Sequence, residues 1–439
     1  MAKIAVVGAG AMGLAAAYHA LAAGHEVTVF EADSQAGGMA AHFDFDGLSI
    51  ERFYHFVCKA DQPTFDLMEE LGIGDRMVWR GTSMGYYIDG EHHDWGDPVA
   101  LLKFPRLDLI SKIRYGLQMF LSTKRSDWSK LENLNARDWF VGWAGEKAYD
   151  VLWKRLFELK FFEYADNISA AWIWTRVKRI GTSRRSLLQE ELGYIDGGSQ
   201  TLVDALVAAI GTKGGEIRLA TPVTEITAED GKVTGVRTAS ETIAFDQVIA
   251  TVPTPFVSKM VPSLPEASKA QYDAINNIGV VCVLLKLKKP VTPHFWLNIS
   301  DARIDIPGIV EFSNLRRLDD TVVYIPYYMP QSHPKFAWDD DAFIEETMRY
   351  VRMLNADIAE HDLLASRVGR LTYAQPVCEP GFLAKLPPVQ TPISGLQIAD
   401  TCFYYPEDRG ISESVRYGRI MASAIDNPDI WRQTSRGAN

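Results

Sequence analysis

Residues 3–13 read Lys-Ile-Ala-Val-Val-Gly-Ala-Gly-Ala-Met-Gly, an apolar run of strand length followed by the spacing G-x-G-x-x-G. Residues 14–23 are rich in alanine and leucine and contain no proline, which favours a helix. Gly24 suits the residue that follows a helix C-terminus. Residues 27–30 form a second apolar run, and Glu31 comes directly after it. This order predicts a strand, a tight turn, a helix and a second strand.

Each glycine of the turn has its own physical role. Gly8 allows a sharp turn out of the strand, Gly10 lets a pyrophosphate approach the backbone, and Gly13 lets the helix pack closely on the sheet. The N-terminus of the helix offers free N–H groups and a positive dipole end to phosphates. Glu31 stands where a carboxylate accepts hydrogen bonds from ribose hydroxyls. We therefore predict a dinucleotide site, because an ordinary glycine-rich turn leaves Glu31 unexplained.

The residues after Glu31 indicate which dinucleotide binds. Residues 31–39 read Glu-Ala-Asp-Ser-Gln-Ala-Gly-Gly-Met and add a second glycine pair. Here the sequence resembles the flavoprotein superfamily of amine oxidases, protoporphyrinogen oxidases and carotenoid desaturases. In that superfamily an acid, a short spacer and Gly-Gly form a second pyrophosphate loop specific to FAD. The family usually has arginine where this chain has Met39, so the resemblance implies backbone contacts without that side chain.

The C-terminal part of the chain resembles the closing FAD motif of the same superfamily. A short strand ends at Asp400, which matches the acid that holds the ribityl and pyrophosphate region. Residues 410–412 match the turn that faces the N1–C2=O edge of the flavin, and we expect Ser412 to be the N-cap of a helix reaching about Ile425. Val223 matches a residue that presents its backbone to the adenine. The residues assigned to FAD are Gly8, Gly10, Ala11, Met12, Gly13, Glu31, Ala32, Gly37, Gly38, Met39, Val223, Asp400, Gly410, Ile411 and Ser412.

The resemblance implies an α/β fold with a Rossmann-type FAD-binding domain in three discontinuous segments and a mixed α+β substrate domain. We place the FAD-binding domain at residues 1–60, 190–260 and 390–439. The substrate domain then takes residues 61–189, a helical part thick with aromatic residues, and residues 261–389, a mixed sheet. Asp-Gly pairs at residues 46–47 and 89–90 each predict a β-hairpin.

Candidate residues for catalysis and substrate binding come from three places. Tyr54 and His55 follow the first predicted hairpin, where the resembled family passes the flavin ring, although core packing is the alternative. Tyr404 and Tyr405 precede the predicted flavin turn, where amine oxidases have an aromatic residue in a cage around the amine. His55, Tyr404 and Tyr405 are the catalytic candidates, with the flavin carrying the chemistry.

Further substrate candidates lie on the predicted strands of the mixed sheet. Besides Tyr54, they are Trp296, Glu311 and Tyr324. Amine oxidases usually also have a lysine that holds a water at flavin N5. Lys286, Lys288 and Lys289 follow an apolar strand, but no motif identifies any of them as that lysine, which weakens the amine interpretation.

Composition excludes several classes of function. The net charge of −11 disfavours nucleic acid as a partner. The four cysteines are scattered without a C-x-x-C pair, so we expect no metal site, no disulfide framework and a reducing cytoplasm. No apolar run is long enough to span a membrane. Residues 107–122 form a broadly apolar helical stretch with basic neighbours, which suits either a buried helix or one at the inner face of a membrane.

We therefore expect a FAD-dependent oxidase or dehydrogenase that removes hydride from a C–N or C–C bond of a largely apolar small molecule. The aromatic content of the segments outside the FAD motifs suggests the apolar character of that substrate. Two alternatives stay open at this point. One is a redox-neutral flavoenzyme similar to a mutase or isomerase, and the other is a non-catalytic protein that binds prenyl or lipid groups on the same scaffold.

Overall fold

In the computed structural model, which describes residues 1–433, the first strand lies in the middle of a five-stranded parallel sheet. All four pairings are parallel, as expected for a sheet covered on both faces. The strands, in spatial order, are Glu216–Arg218, Glu26–Phe30, Lys3–Val7, Gln247–Ala250 and Leu396–Ile398. They come from three separate stretches of the chain.

Three helices pack together at this sheet: Ala11–Ala22, Ser199–Thr212 and Ile411–Ser423. Two glycines allow their close approach. A Cβ atom built on Gly13 would lie 1.9 Å from the Gly8 carbonyl oxygen, and one built on Gly418 would lie 2.5 Å from the Met12 carbonyl oxygen. A side chain at Gly13 would therefore push the first helix away from the first strand, and a side chain at Gly418 would push the first and the C-terminal helix apart.

A mixed sheet of seven strands forms the second layer of the protein. Its pairings are antiparallel, apart from the parallel pairing of Trp296–Ile299 with Met84–Ile88. Its strands, in spatial order, are Leu363–Pro376, Asn277–Leu287, Thr321–Met329, Gly308–Glu311, Trp296–Ile299, Met84–Ile88 and Glu91–Trp95.

Smaller sheets complete the β-structure. One is the hairpin of His42–Phe45 and Leu48–Glu51, which turns at Asp46 and Gly47 with φ angles of 53° and 79°. Asp89 and Gly90 turn a second hairpin in the same way, so both predicted hairpins are confirmed. The remaining strands are Met77–Thr82, Gln189–Ile195 and Arg184–Ser186 in one sheet, and Glu225–Glu229, Lys232–Arg237 and Thr242–Ala244 in another.

The aromatic-rich segment is helical, as predicted. Its helices are Pro98–Lys103, Leu109–Lys124, Ala136–Ala144, Glu146–Tyr149, Arg155–Phe161 and Ala170–Thr182, with a π-helical turn at Asp150–Lys154. The other helices are Gln62–Glu70, Val257–Met260, Glu266–Asp273, Asp340–Leu354, Phe382–Lys385 and Ile430–Gln433. None of the helices within residues 1–433 is long and apolar enough to cross a membrane.

The close helix packing at Gly418 leads to a stability prediction. Gly418→Ala forces a methyl group against the backbone of the neighbouring helix, which should lower the free energy of unfolding by about 1–3 kcal/mol. Gly211→Ala is the matched control, because a Cβ atom there meets nothing within 4 Å on a helix of the same layer. Urea unfolding of both variants should show a lower midpoint for Gly418→Ala alone. Equal midpoints would contradict the proposed packing.

Candidate active site

Two glycine loops meet at the carboxyl end of the first strand. Gly8 adopts a φ of 102°, and its N–H donates to the Phe30 carbonyl at 2.8 Å, which closes the turn. The N–H of Gly37 donates to the Ala9 carbonyl at 2.8 Å and joins the second loop to the first. A Cβ atom on Gly10 would meet nothing within 4 Å, so this backbone borders open space. The strand order reverses at the first strand, which lies between Glu26–Phe30 and Gln247–Ala250, and α/β sheets bind nucleotides at such a point.

Glu31 lies beside this opening with its carboxylate held in place. One carboxylate oxygen accepts the Ala9 N–H at 2.7 Å, and the other accepts the Asp33 N–H at 2.9 Å. Each oxygen keeps a further lone pair for a ribose hydroxyl. The Glu31 carbonyl accepts the Thr221 N–H at 2.8 Å, which brings the loop that contains Val223 alongside.

The remaining residues assigned to the first part of the FAD site surround these loops. Ala11 and Met12 begin the helix that follows the glycine turn, with Ala11 half-buried and Met12 buried. Ala32 is exposed next to Glu31. Gly38 lies close to the first loop, since a Cβ atom built on it would be 3.3 Å from the Gly10 Cα. Met39 lines a large cavity next to these loops.

The carboxylate of Asp400 is held in place by the protein's own backbone, as that of Glu31 is, and its assignment to the cofactor stays a prediction. Its two oxygens accept the Cys402 N–H at 2.9 Å and the Thr254 N–H at 2.7 Å. Burial raises the pKa of this carboxyl, although these hydrogen bonds oppose the rise. Asp400 thus joins the end of strand Leu396–Ile398 to the loop after strand Gln247–Ala250.

The C-terminal helix begins two residues earlier than a Ser412 cap requires. Its bounds are Ile411–Ser423, and the N-cap is Gly410, whose carbonyl accepts the Ser414 N–H at 3.1 Å. The expected Ser412 cap and the end near Ile425 are therefore wrong. A Cβ atom on Gly410 would meet nothing within 4 Å, so the first N–H groups of the helix face open space. They offer hydrogen bonds and a positive dipole end to an anionic ring edge.

A cavity of about 970 Å³ runs from residues 410–412 and Met39 through the layer of helices and the mixed sheet. Its walls are mostly aromatic and aliphatic. The aromatic lining includes Phe53, Tyr54, Phe56, Tyr86, Trp95, Trp153, Phe157, Trp172, Trp296 and Tyr328. A cavity of this size and character suits a largely apolar ligand oriented by a few polar groups.

Three of the seven predicted catalytic and substrate residues line this cavity: Tyr54, His55 and Trp296. The Tyr54 ring meets Trp296 edge-on with centroids 5.8 Å apart. Burial lowers the pKa of His55 despite the nearby Glu51 carboxylate, which favours the neutral imidazole. Among the described residues, His55 Nδ1 is buried without a hydrogen-bond partner.

The other four substrate and catalytic candidates lie outside the cavity lining, in contrast to the sequence expectation. Their polar groups bind other parts of the protein. The Tyr404 hydroxyl donates to Ser414 Oγ at 2.8 Å, and the Tyr405 hydroxyl donates to Glu132 at 2.6 Å. Both tyrosines are buried in the protein core next to the turn, outside the cavity wall.

Glu311 and Tyr324 are likewise structural. The Glu311 carboxylate accepts the backbone N–H groups of Val291 at 2.9 Å and Thr292 at 2.8 Å, and burial raises its pKa to about 7. The Tyr324 hydroxyl donates to the Glu51 carbonyl at 2.7 Å. The alternation of side chains along the strands could not show, from the sequence, which face of the mixed sheet borders the cavity, so these two residues were assigned to the wrong side.

The sequence reasoning missed a cluster of charged residues in the cavity wall. Lys160, Arg176, Asp408 and Arg409 all line it. The aromatic run of residues 153–162 contains four charged side chains, Lys154, Arg155, Glu158 and Lys160, so its pattern alone does not single out Lys160 as a cavity residue. The lysines considered from sequence, at 286, 288 and 289, lie elsewhere: Lys286 pairs with Asp46 at 3.0 Å, for example.

A family model described as flavin-containing amine oxidoreductase matches residues 13–403. The chain belongs to this family. It is 25% identical over 322 residues to the 15-cis-phytoene desaturase of Synechococcus elongatus, covering 66% of each chain. It is 30% identical over 157 residues to protoporphyrinogen oxidase 2 of Arabidopsis thaliana, covering 34% of this chain and 30% of the relative. Each match spans less than two-thirds of the relative's length.

The fold is that of the solved structures of this family. The crystal structure of a putative protoporphyrinogen oxidase from Exiguobacterium sp. 255-15 matches with a TM-score of 0.74 at 18% identity, covering 97% of this chain and 98% of the other. The two joined glycine loops, the Glu31 carboxylate and the open N-terminus at Gly410 fit FAD. The family is one of flavin-containing oxidoreductases, so the predicted FAD cofactor and the predicted α/β fold are both confirmed.

The position of Glu31 predicts its effect on cofactor retention. Glu31→Ala removes the ribose acceptor and leaves buried donors without a partner, which costs about 1–3 kcal/mol, or roughly tenfold to a hundredfold in FAD affinity. Glu31→Gln keeps one oxygen acceptor and should lose less. Glu229→Ala, an exposed glutamate on a neighbouring sheet, is the control. Flavin absorbance after dialysis measures retention, and an unchanged value in Glu31→Ala would refute the assignment.

Proposed function

We propose that the protein removes hydride from a C–N or C–C bond of a largely apolar small molecule. Bound FAD supplies the hydride acceptor. The observation that carries the proposal is the long aromatic cavity that reaches the N-terminus of helix Ile411–Ser423. The flavin ring takes part of this volume, and the remainder exceeds what a small amine fills.

The residues around the cavity have two tasks in this reaction. Their apolar rings exclude water, which suits a hydride step that needs no hydration of a developing ion. The N–H groups at the start of the helix after Gly410 offer hydrogen bonds to the anionic edge of the ring. Tyr54 and Trp296 form one wall close to His55, so they are the residues that we expect to contact the substrate.

A cage for small amines has less support. Tyr404 and Tyr405, the aromatic residues expected in such a cage, point their hydroxyls at Ser414 and Glu132. The lysines at 286, 288 and 289 are also outside the cavity lining. We therefore favour a substrate with a large apolar body.

Anaerobic reduction of the flavin tests this function. Donors with large apolar bodies, such as polyenes, partly reduced tetrapyrroles and aryl-substituted secondary amines, should bleach the flavin absorbance. Small primary amines and amino acids should leave it oxidised, because they fill little of the cavity and gain little burial energy. Rapid reduction by small polar amines, with no response to large apolar donors, would refute the proposal.

We further propose that the protein docks on an anionic membrane surface through helix Leu109–Lys124. In most surface helices the apolar face is buried and the polar face is exposed, and in this helix the arrangement is the opposite. Its buried positions are Ser111, Tyr115, Gln118 and Ser122, whereas its apolar side chains face outward. The exposed ones are Leu109, Ile110, Ile113, Leu117, Phe120 and Leu121, with exposed fractions from 40% to 70%.

Neighbouring residues extend this apolar face and place it at the cavity. Leu102, Leu187 and Leu188 are also exposed. Phe120 and Leu187 belong to the cavity lining as well, so the cavity opens close to the apolar face. An apolar substrate dissolved in lipid would enter there without crossing water.

Basic residues at this face suit an anionic surface although the whole chain is acidic. Lys103, Lys124 and Arg185 are exposed around it. Apolar insertion combined with local positive charge is the usual mode of binding for a helix lying in a membrane interface. Such a contact weakens at high salt, because screening reduces the electrostatic part.

Vesicle co-sedimentation tests the docking. Ile110→Glu with Ile113→Glu should abolish binding to vesicles of phosphatidylcholine and phosphatidylserine, since two carboxylates replace exposed apolar groups. Leu219→Glu with Leu364→Glu is the matched control, because it adds the same charge at two exposed leucines outside this face. Wild type that stays in the supernatant at low salt would contradict the docking.

A further inference from the structure

Lys160 lies at the end of helix Arg155–Phe161 with its amine in the cavity wall. Aromatic rings surround it: the Nζ atom is 4.7 Å from the centroid of Tyr328, 5.4 Å from that of Trp172 and 5.9 Å from that of Phe161. Within residues 1–433, the amine has these ring contacts but no hydrogen-bond or ion-pair partner. It is therefore a half-buried donor without a partner in the cavity wall.

Two guanidinium groups in the same cavity wall as Lys160 are already paired. Arg176 lies over Trp172, 3.5 Å from its centroid, and donates to Asp408 at 2.8 Å. Arg179 donates to Asp61 at 2.7 Å and lies 3.7 Å from Asp408. These two arginines therefore balance the negative charges of Asp61 and Asp408.

A third guanidinium continues the positive wall toward the flavin site. Arg409 directly precedes Gly410, donates to the Tyr328 hydroxyl at 3.3 Å and also donates to the Ala374 carbonyl. The wall thus holds Lys160, Arg176, Arg179 and Arg409 against two carboxylates. The unpaired positive charge faces an apolar cavity, where a low dielectric strengthens its attraction for an anion.

We propose that Lys160 binds a carboxylate of the substrate, so that the substrate is an organic acid with a large apolar body. This inference rests on the proposed function and specifies its substrate class. The carboxylate would accept from the Lys160 ammonium in the field of Arg409, while the apolar body packs against the aromatic walls. The positive wall then holds the substrate in one orientation relative to the flavin.

A carboxylate fits this place better than a neutral group. A buried ammonium without an anionic partner is costly, and removing that cost is worth more than an ordinary hydrogen bond. Burial, together with Arg409 and Arg176, lowers the pKa of Lys160 to about 7, although Asp408 opposes the shift. A bound carboxylate favours the charged form, so binding and protonation of Lys160 support one another.

The pH dependence of binding follows from this coupling. Lys160 is protonated below pH about 7 and loses its charge above it, so affinity for an acid should be constant below that pH and fall above it. The tyrosine and histidine side chains that face the site would not produce a fall in affinity just above pH 7. Burial raises the pKa of Tyr54 and Tyr328 and lowers that of His55.

The test compares two probes of one shape, naphthylacetate and naphthylethanol, on the FAD-loaded protein. Binding is followed by perturbation of the flavin absorbance and of tryptophan fluorescence. Wild type should bind the acid more tightly than the alcohol. Lys160→Met should weaken binding of the acid roughly tenfold to a hundredfold and leave the alcohol unchanged.

Two further variants separate the role of the charge from a structural role. Lys160→Arg should keep affinity for the acid and remove its decline above pH 7, because a guanidinium stays protonated. Lys154→Met removes an exposed lysine one turn and a half earlier and should change neither probe's affinity. Correct folding of each variant is shown by its flavin content.

Three outcomes would overturn the inference. One is equal affinity of the wild type for acid and alcohol. Another is an equal loss of both probes in Lys160→Met, which would mean that Lys160 only supports the fold. The third is a changed flavin spectrum in Lys160→Met with unchanged affinity for the acid, which would assign the lysine to the cofactor. Anaerobic reduction by neutral apolar donors is independent of all three, so the proposed function can survive or fail separately.

Discussion

The close contact between the first strand and the helix that follows it is the constraint on which the cofactor site depends. Gly13 has no room for a side chain above the Gly8 carbonyl, and Gly418 has none above the Met12 carbonyl. Because both helices start at the same end of the parallel sheet, their free N–H groups border one opening. The two ends of the chain thereby build a single FAD site.

The parallel sheet with its helices binds the cofactor, and the remaining helices with the mixed sheet form a cavity lined by aromatic side chains. The α/β layer holds its polar groups with backbone hydrogen bonds, as at Glu31 and Asp400. The helices and the mixed sheet supply the mostly apolar cavity walls, next to which charged groups interact more strongly than in water. A single unpaired amine, that of Lys160, therefore has more influence on ligand choice here than a surface lysine would have.

Helix Leu109–Lys124 shows that burial and polarity need not coincide. Ser111 and Gln118 can be buried because their side chains form hydrogen bonds, Ser111 to Asp108 in the same turn and Gln118 to the Trp139 carbonyl on the neighbouring helix. The outward apolar face then has no intramolecular partner among the described residues. Hydrophobic patterning predicted a helix correctly, but only its packing determined which face stays exposed.

The sequence by itself determined the two glycine turns and the position of Glu31 after the second strand, because each of these depends on neighbours a few residues apart, whereas only the tertiary structure brings them together with the helix after Gly410. Local geometry decides such features, and the hairpins at Asp46 and Asp89 follow the same rule. Tertiary structure alone decided the cavity wall. Tyr404 is core and Lys160 is lining because contacts between distant segments, not local spacing, determine which side chains find a partner.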